Sequence, residues 1–311
     1  MAFDTGLAVV VLGVAVWTIA ARETVAAVAG FVAFGLLLAL VWVRLAAPDV
    51  ALTEAAIGSG VTGGLLLGAA TRLRRIEPSA AGETLGIGLK LAAAVLCILV
   101  ATGIAAIVLL LPEPAPTLAP QVAKNLDRTG LGNPVTAVLM AYRAIDTLLE
   151  VVVLLLALVG IWSLAPDRAW GGFPGARHHA DSDGLLAFVA QLLVPIGILV
   201  GIHIFWVGST APGGEFQGAT ILAAMWIFAV MAGLLDTPAV NRRWLRLLLV
   251  IGPAVFLAIG LAGFAVAGGF LAYPEAYAKV MILTIEVPVT LSIAATLALL
   301  VAGPPERPPN G

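Results

Sequence analysis

The sequence predicts an all-α integral membrane protein of about nine transmembrane helices, and three observations carry that expectation. Hydrophobic residues make up 61% of the 311 and charged residues only 11%, whereas a soluble domain is usually about 45–50% apolar. Nine apolar runs approach the roughly 20 residues that a helix needs to cross a hydrocarbon core. Lysine and arginine fall unevenly on alternate connections between those runs, as the positive-inside rule requires. The net charge of −2 gives no electrostatic case for a nucleic-acid partner or for a polybasic surface anchor.

Taken in order, the runs are 4–21, 24–44, 48–71, 86–111, 134–164, 184–207, 214–234, 245–267 and 280–302. The first lacks a basic leading region and reads as a retained helix, not a cleaved signal. With the N-terminus outside, the cytoplasmic side collects Arg22, Arg72, Arg74, Arg75, Arg168, Arg177, Arg242, Arg243, Arg246 and Arg307. The other side collects Arg44, Lys124, Arg128 and Lys279. That asymmetry predicts an outside N-terminus and a cytoplasmic C-terminus.

The connections divide the helices into groups of three, two and four. Residues 1–80 form the first module, 81–166 the second, 167–183 a cytoplasmic linker and 184–311 the third. The linker holds Gly171, Gly172, Pro174, Gly175, His178, His179, Asp181 and Asp183 and reads as a solvated turn-rich loop. Adjacent histidines do not share a face, so no metal pair is expected there. Pro112, Pro114, Pro116 and Pro120 predict extended backbone over 112–132, lying against the bundle surface. The single cysteine, Cys97, excludes an internal disulfide and a cysteine metal site and reads as a packing residue. The halves of the chain show no inverted repeat, which argues against a self-sufficient alternating-access transporter.

The chemistry lies in charges that the helix lengths force into the membrane. The uncharged run Val151 to Trp162 covers only about 18 Å of a core about 30 Å thick, so the fifth span must include Glu150 and approach Asp146. On one continuous helix, Arg143, Asp146 and Glu150 share an arc of about 60°, and Thr136 and Thr147 widen the stripe to about 100°. A charge at the bilayer centre costs about 2.5–3.5 kcal/mol on insertion scales, so such groups normally face a bundle interior or a water-filled path. Arg143 reads either as an interface anchor or as a counterion to Asp146.

Glu54 enters the third span by the same length argument, because Ala55 to Ala70 covers only about 24 Å. Ala56, Gly60, Gly64 and Gly68 recur every four residues, which predicts close helix packing. Lys90 either snorkels to the surface or pairs with an acid such as Glu54 or Glu150. The sixth run holds Gln191, Pro195 and His203, and the ninth holds Glu286 followed by Pro288, where a kink opens the helix beside a polar cavity. His203 reads as a hydrogen-bonded packing residue or a proton relay. The turn containing Pro212, Gly213, Gly214, Glu215, Phe216, Gln217 and Gly218 suits either a tight inter-helix connection or an ion held by its amides or carbonyls. By depth, Glu54, His203 and Glu286 fall in the outward half, with Asp146 and Glu150 between the edge and the centre. That placement predicts a polar half-channel opening outward.

Three segments carry a resemblance. Ala47–Gly60, APDVALTEAAIGSG, resembles the three-helix module that ends the large subunit of Mrp-type cation/proton antiporters and recurs in membrane-bound hydrogenases. Asn133–Leu155, NPVTAVLMAYRAIDTLLEVVVLL, is similar to the two-helix module that follows it. Ala211–Ala224, APGGEFQGATILAA, is similar to the four-helix MnhB-type module of the Mrp B subunit. Glu215 departs from the pattern PGGGFQGG usual there, adding a carboxylate at the turn.

The resemblance implies a multi-pass subunit in the cell membrane, working in lipid beside other Mrp-type and complex-I-like antiporter subunits. It implies exchange of Na+ or another monovalent cation for H+, with Glu54, Asp146, Glu150 and Glu286 in the ion path and Lys90, Arg143 and His203 as further members. No cofactor, metal or redox chemistry of the chain's own is expected. Two rivals share these features: an energy-coupling subunit of a membrane-bound hydrogenase or related oxidoreductase, and a scaffold whose charges only hold helices together.

Overall fold

The computed structural model describes residues 2–76, 86–112, 116–175 and 184–308, with residues 72–76 described as helical backbone only. The side chains of Arg72, Arg74 and Arg75, the proline Pro114, and Arg177, His178, His179, Asp181 and Asp183 of the linker lie outside the described residues.

Apolar composition at helix-permitting length gives helices α1 (Ala2–Ala20) and α2 (Thr24–Arg44). The third span runs as α3 (Pro48–Thr53), a π-helical stretch Glu54–Val61 and α4 (Thr62–Ile76). Then come α5 (Ile87–Leu110), short α6 (Ala119–Asn125), short α7 (Pro134–Ala137) and α8 (Ala144–Trp162). The last four are α9 (Leu185–Val207), α10 (Glu215–Met231), α11 (Arg243–Val266) and α12 (Ala278–Ala302). Eight of these helices are long and apolar enough to cross a membrane, and α10 is a shorter apolar helix of 17 residues. The nine expected runs therefore all form helices, the seventh being clipped because the turn before Glu215 and the turn after Met231 both shorten it.

The α12 helix is the hub. It packs on α8, α10, α11 and α4, while α9 packs on α10 and the third span joins α2 to α10. The core is built by α8, α10, α11 and α12, where Met140, Leu158, Leu245, Phe256, Ile282, Ile285 and Ile293 are fully buried. Lipid tails are as apolar as leucine, so close backbone approach and inter-helix hydrogen bonds must hold the bundle. Gly252 supplies one such approach, since a methyl there would sit 2.7 Å from the Ser292 side chain. Beside it the Ser292 hydroxyl donates to the Leu249 carbonyl at 2.6 Å. One end of the bundle is closed by an antiparallel pairing of β1 (Phe173–Pro174) with β2 (Pro305–Arg307), where the Arg307 guanidinium lies 5.0 Å from the centre of the Phe173 ring.

Four expectations are corrected. The continuous helix over 134–164 is broken: a π-helical stretch Val138–Tyr142 follows α7, and Arg143 at φ −133° and ψ 34° separates it from α8. The Thr147 hydroxyl caps the break by donating to the Leu139 carbonyl at 2.7 Å. The break splits the expected single stripe, with Thr136 and Thr147 buried and Arg143, Asp146 and Glu150 exposed. Gly64 and Gly68 meet no helix, because a methyl on either would find open space, and with Gly60 they line a cavity of about 640 Å³ facing α10 and α12. The 112–132 connection is not simply extended: α6 begins with Pro120 in its first turn, where a missing N–H costs nothing. Finally, α5 has no buried residue, so Cys97 is exposed on it instead of packing within the chain, while Lys90, also exposed, keeps the snorkelling alternative.

Candidate ion and proton site

At the end of the bundle opposite the strand pair, the segments from all three predicted modules meet. Asp49, in the first turn of α3, is only 7% exposed. Its Oδ1 accepts from the Asn133 side-chain amide at 3.2 Å and from the Gly213 backbone N–H at 3.1 Å. Asn133 also caps α7, its Oδ1 accepting from the Val135 N–H at 2.9 Å, and donates to the Ala211 carbonyl at 3.1 Å. Thr136 donates to the Gly208 carbonyl at 2.6 Å, and the Gly132 N–H to the Ser209 carbonyl at 2.8 Å. Gln217 on α10 donates to the Thr53 hydroxyl at 3.0 Å, closing the ring back to α3. Buried polar groups persist where they are hydrogen-bonded, and this interlock satisfies its own.

The turn between α9 and α10 can join this ring because of its glycines. Gly213 and Gly214 have φ of 146° and 143°, a region that L side chains rarely adopt. A methyl on Gly213 would collide with the Ile204 carbonyl oxygen, whose bond from the Gly214 N–H at 3.1 Å seals the turn. One turn on, Gly218 lets α10 lie against α9, where a methyl would sit 2.8 Å from the Gly201 oxygen.

This turn delivers Glu215 to the start of α10 with only 4% of its surface exposed. Facing it within hydrogen-bonding reach is Glu286, two turns into α12 and 2% exposed. The charge of Glu150 on α8 also reaches Glu215. Among the described residues no lysine or arginine acts on either buried carboxyl. Tyr273, in the connection between α11 and α12, lies close enough to feel Glu286. Burial, and then the Glu286 charge, raise its phenol above the ordinary tyrosine range, so it stays a hydrogen-bond donor. One Glu215 oxygen and the Tyr273 hydroxyl are buried without a partner. Pro288, two residues beyond Glu286, lacks the N–H that would bond the Thr284 carbonyl.

The other sequence-predicted residues are more scattered. The half-buried Glu54 folds over Gly58 of its own π-helical stretch and reaches Gly35 on α2, beside the buried Ser59 hydroxyl. Arg143 and Asp146 do pair, at 2.6 Å, but on the exposed face of α8. Glu150 is exposed on the same helix, and His203 is exposed on α9 with no hydrogen bond or ion pair among the described residues. Lys90 stands apart on α5, with no ion pair to Glu54 or Glu150 among the described residues. Of the turn residues, Pro212 and Phe216 serve shape, while Gly213, Gly214, Glu215, Gln217 and Gly218 make the contacts given above. Asp49, Asn133 and Tyr273 were not singled out by sequence as site residues, and Thr136 only as part of the polar stripe. Their only local signals are a proline before an acid and an Asn-Pro pair, both of which read as ordinary helix starts.

Comparison with known proteins shows what parts of this chain are similar to. Residues 185–303 match the domain related to the MnhB subunit of Na+/H+ antiporter, and residues 9–75 match the MbhD family, the D subunit of MBH. Two family models thus match separate parts of the chain. The interlock bonds one matched part to the other, Asp49 lying in residues 9–75, Gly213 and Gln217 in residues 185–303, and Asn133 between them. An uncharacterized protein of Methanocaldococcus jannaschii is 28% identical over 154 residues. A probable A/B subunit of a K(+)/H(+) antiporter from Rhizobium meliloti is 27% identical over 256 residues. The chain spans 59% of the length of the first relative and 25% of the second, and the matches cover 45% and 73% of the chain. The Mrp complex from Dietzia sp. contains a chain that matches 97% of this one, at TM-score 0.76 and 24% identity, over 35% of its own length. A chain of the membrane-bound sulfane sulfur reductase, an archaeal respiratory complex, matches 68% of this one at TM-score 0.50 and 24% identity, over 98% of its own length. At that identity both structures report the fold, a multi-pass membrane bundle.

Proposed function

We propose that this chain is one subunit of a multisubunit monovalent cation/proton antiporter and that its intramembrane acids line the cation or proton route. The observation that carries the reading is the burial of Glu286 and Glu215 against each other, without a basic partner among the described residues and within reach of Glu150. A purely structural role would favour neutralising such a cluster with arginine or lysine, because an uncompensated buried charge is costly. Desolvation tunes a carboxyl to exchange a proton at working pH. The matched domains and the relatives named above support the same conclusion, for sodium in one name and potassium in the other.

The partners are other Mrp-type subunits, including complex-I-like antiporter subunits with proton paths of their own. Asp146, Glu150, Lys90 and His203 are exposed on membrane helices, and at membrane depth such groups need protein or water in place of lipid. Partner subunits would supply that cover. In this reading the modules end near residues 80, 166 and 183, and the interlock end of the bundle faces outward. The chain is then a transporter subunit without redox or hydrolytic chemistry of its own.

The test is cation-driven proton flux in vesicles carrying the assembled complex. Asp146→Asn and Glu150→Gln are expected to abolish flux while the complex still assembles. Wild-type exchange in those variants contradicts the proposal. A second reading, an energy-coupling subunit of a membrane-bound hydrogenase or related oxidoreductase, draws on the match of residues 9–75 to the D subunit of MBH. Co-purification in mild detergent separates the two, since antiporter subunits alone support the first and a hydrogenase or reductase supports the second.

A further inference from the structure

The pair Glu215–Glu286 is more than two acids in one path. Its oxygens approach within hydrogen-bonding reach, yet two carboxylates offer only acceptors, so the contact holds only with a proton or a cation between them. The charged and titratable groups acting on it are Glu150 from α8 and Tyr273 from the α11–α12 connection, with no basic side chain among the described residues. Glu215 is 4% exposed and keeps one oxygen without a partner, and the buried Tyr273 hydroxyl is likewise unpartnered. A buried carboxylate oxygen without a partner calls for an explanation, and a bound ion is one. An all-oxygen pair of carboxyls suits a hard cation, not a soft or redox metal.

We propose that Glu215 and Glu286 form one exchange site that holds either a single shared proton or a single dehydrated alkali cation. The step balances: the pair with its proton carries one negative charge, the cation enters as the proton leaves to water, and the pair with its cation again carries one negative charge. No covalent bond other than O–H is broken. Tyr273 lies near enough to feel the charge of Glu286 but makes no hydrogen bond to either carboxyl, so the pair itself supplies the oxygens of the site. The interlock fixes the spacing, because Gly213 and Gln217, on either side of Glu215, are tied to Asp49 and Thr53. The site deepens the antiporter reading, yet its occupancy is measurable apart from transport.

The experiment is infrared difference spectroscopy of the whole complex in lipid nanodiscs, with Na+, K+ and Li+ chlorides titrated in separately at fixed neutral pH. The wild type is expected to show a protonated-carboxyl band that fades as one of these cations saturates, with one proton released for each cation bound. Glu215→Gln and Glu286→Gln are each expected to lose that cation-driven fading and release. Glu215→Asp, which keeps the acid, is expected to shift the band and to report even where a glutamine variant does not assemble. Spectra in which the band is absent, ignores all three cations, or is unchanged in the Glu215→Asp and Glu286→Gln variants overturn the site. Antiport abolished by acid changes elsewhere while the band ignores cations sinks the pair alone. A cation-sensitive band in a complex that transports nothing sinks the antiporter reading alone.

Discussion

At the scale of single residues, Tyr273 and Asp49 make the sharpest predictions. The Tyr273 phenol is raised above its ordinary range, so an absorbance titration is expected to show a tyrosine step above that range. Tyr273→Phe should remove that late step, and a wild-type titration without it would contradict the placement. The sign for stability follows: a group raised in the folded state contributes fully below its unfolded value near pH 10 and loses that contribution as pH climbs through the folded value. Asp49→Ala leaves the Gly213 N–H and the Asn133 amide buried without their shared acceptor, at about 1–3 kcal/mol for each. The expected outcome is a lower melting temperature and faster proteolysis at the 208–214 turn, and an unchanged melt would remove the interlock from the account. Glu54 and Glu150 were legible in the sequence because helix length forced them into the membrane, and Glu286 because it stands inside an apolar run two residues before Pro288. Asp49 was not, since its partner Gly213 lies 164 positions along the chain and only folding reveals the bond.

At the scale of elements, hydropathy located eight of the nine apolar helices to within a few residues, but it began the fifth ten residues before α8 and missed the irregularities inside the runs. The sequence 134–164 has no interior glycine near Arg143 and no interior proline to announce a break. The π-helical stretch and the bend at Arg143 arise instead because α7 is pinned by Asn133 and Thr136 to the α9–α10 turn while α8 packs on α12. π-helical stretches recur at functional sites, and both of those here lie beside acids, Glu54 in one and Asp146 just after the other. The glycine pattern was likewise half-readable. Gly213→Ala is expected to be strongly destabilising, because its φ of 146° and the Ile204 oxygen pressed against it both exclude a methyl. Gly64→Ala faces open space and is expected to change yield and melting little, or to stabilise α4 by up to about 1 kcal/mol. Comparable losses at both positions, read as assembled complex per cell, would contradict this division.

At the scale of the whole molecule, the chain has a tight core of α8, α10, α11 and α12 and two apolar helices, α1 and α5, that bury no residue. The acids exposed on α8 and His203 exposed on α9 point the same way, to surfaces that the proposed partner subunits would complete. The purified chain alone in vesicles is therefore expected to carry no cation-driven proton flux, and measurable antiport by it would refute the need for partners. The central claim is that the buried acids of this bundle handle the exchanged ions. The most direct measurement compares Na+- and K+-driven proton flux in vesicles of the fully assembled complex, wild type against Glu286→Gln. The account predicts an intact complex that no longer exchanges; a Glu286→Gln complex that exchanges at the wild-type rate would contradict it.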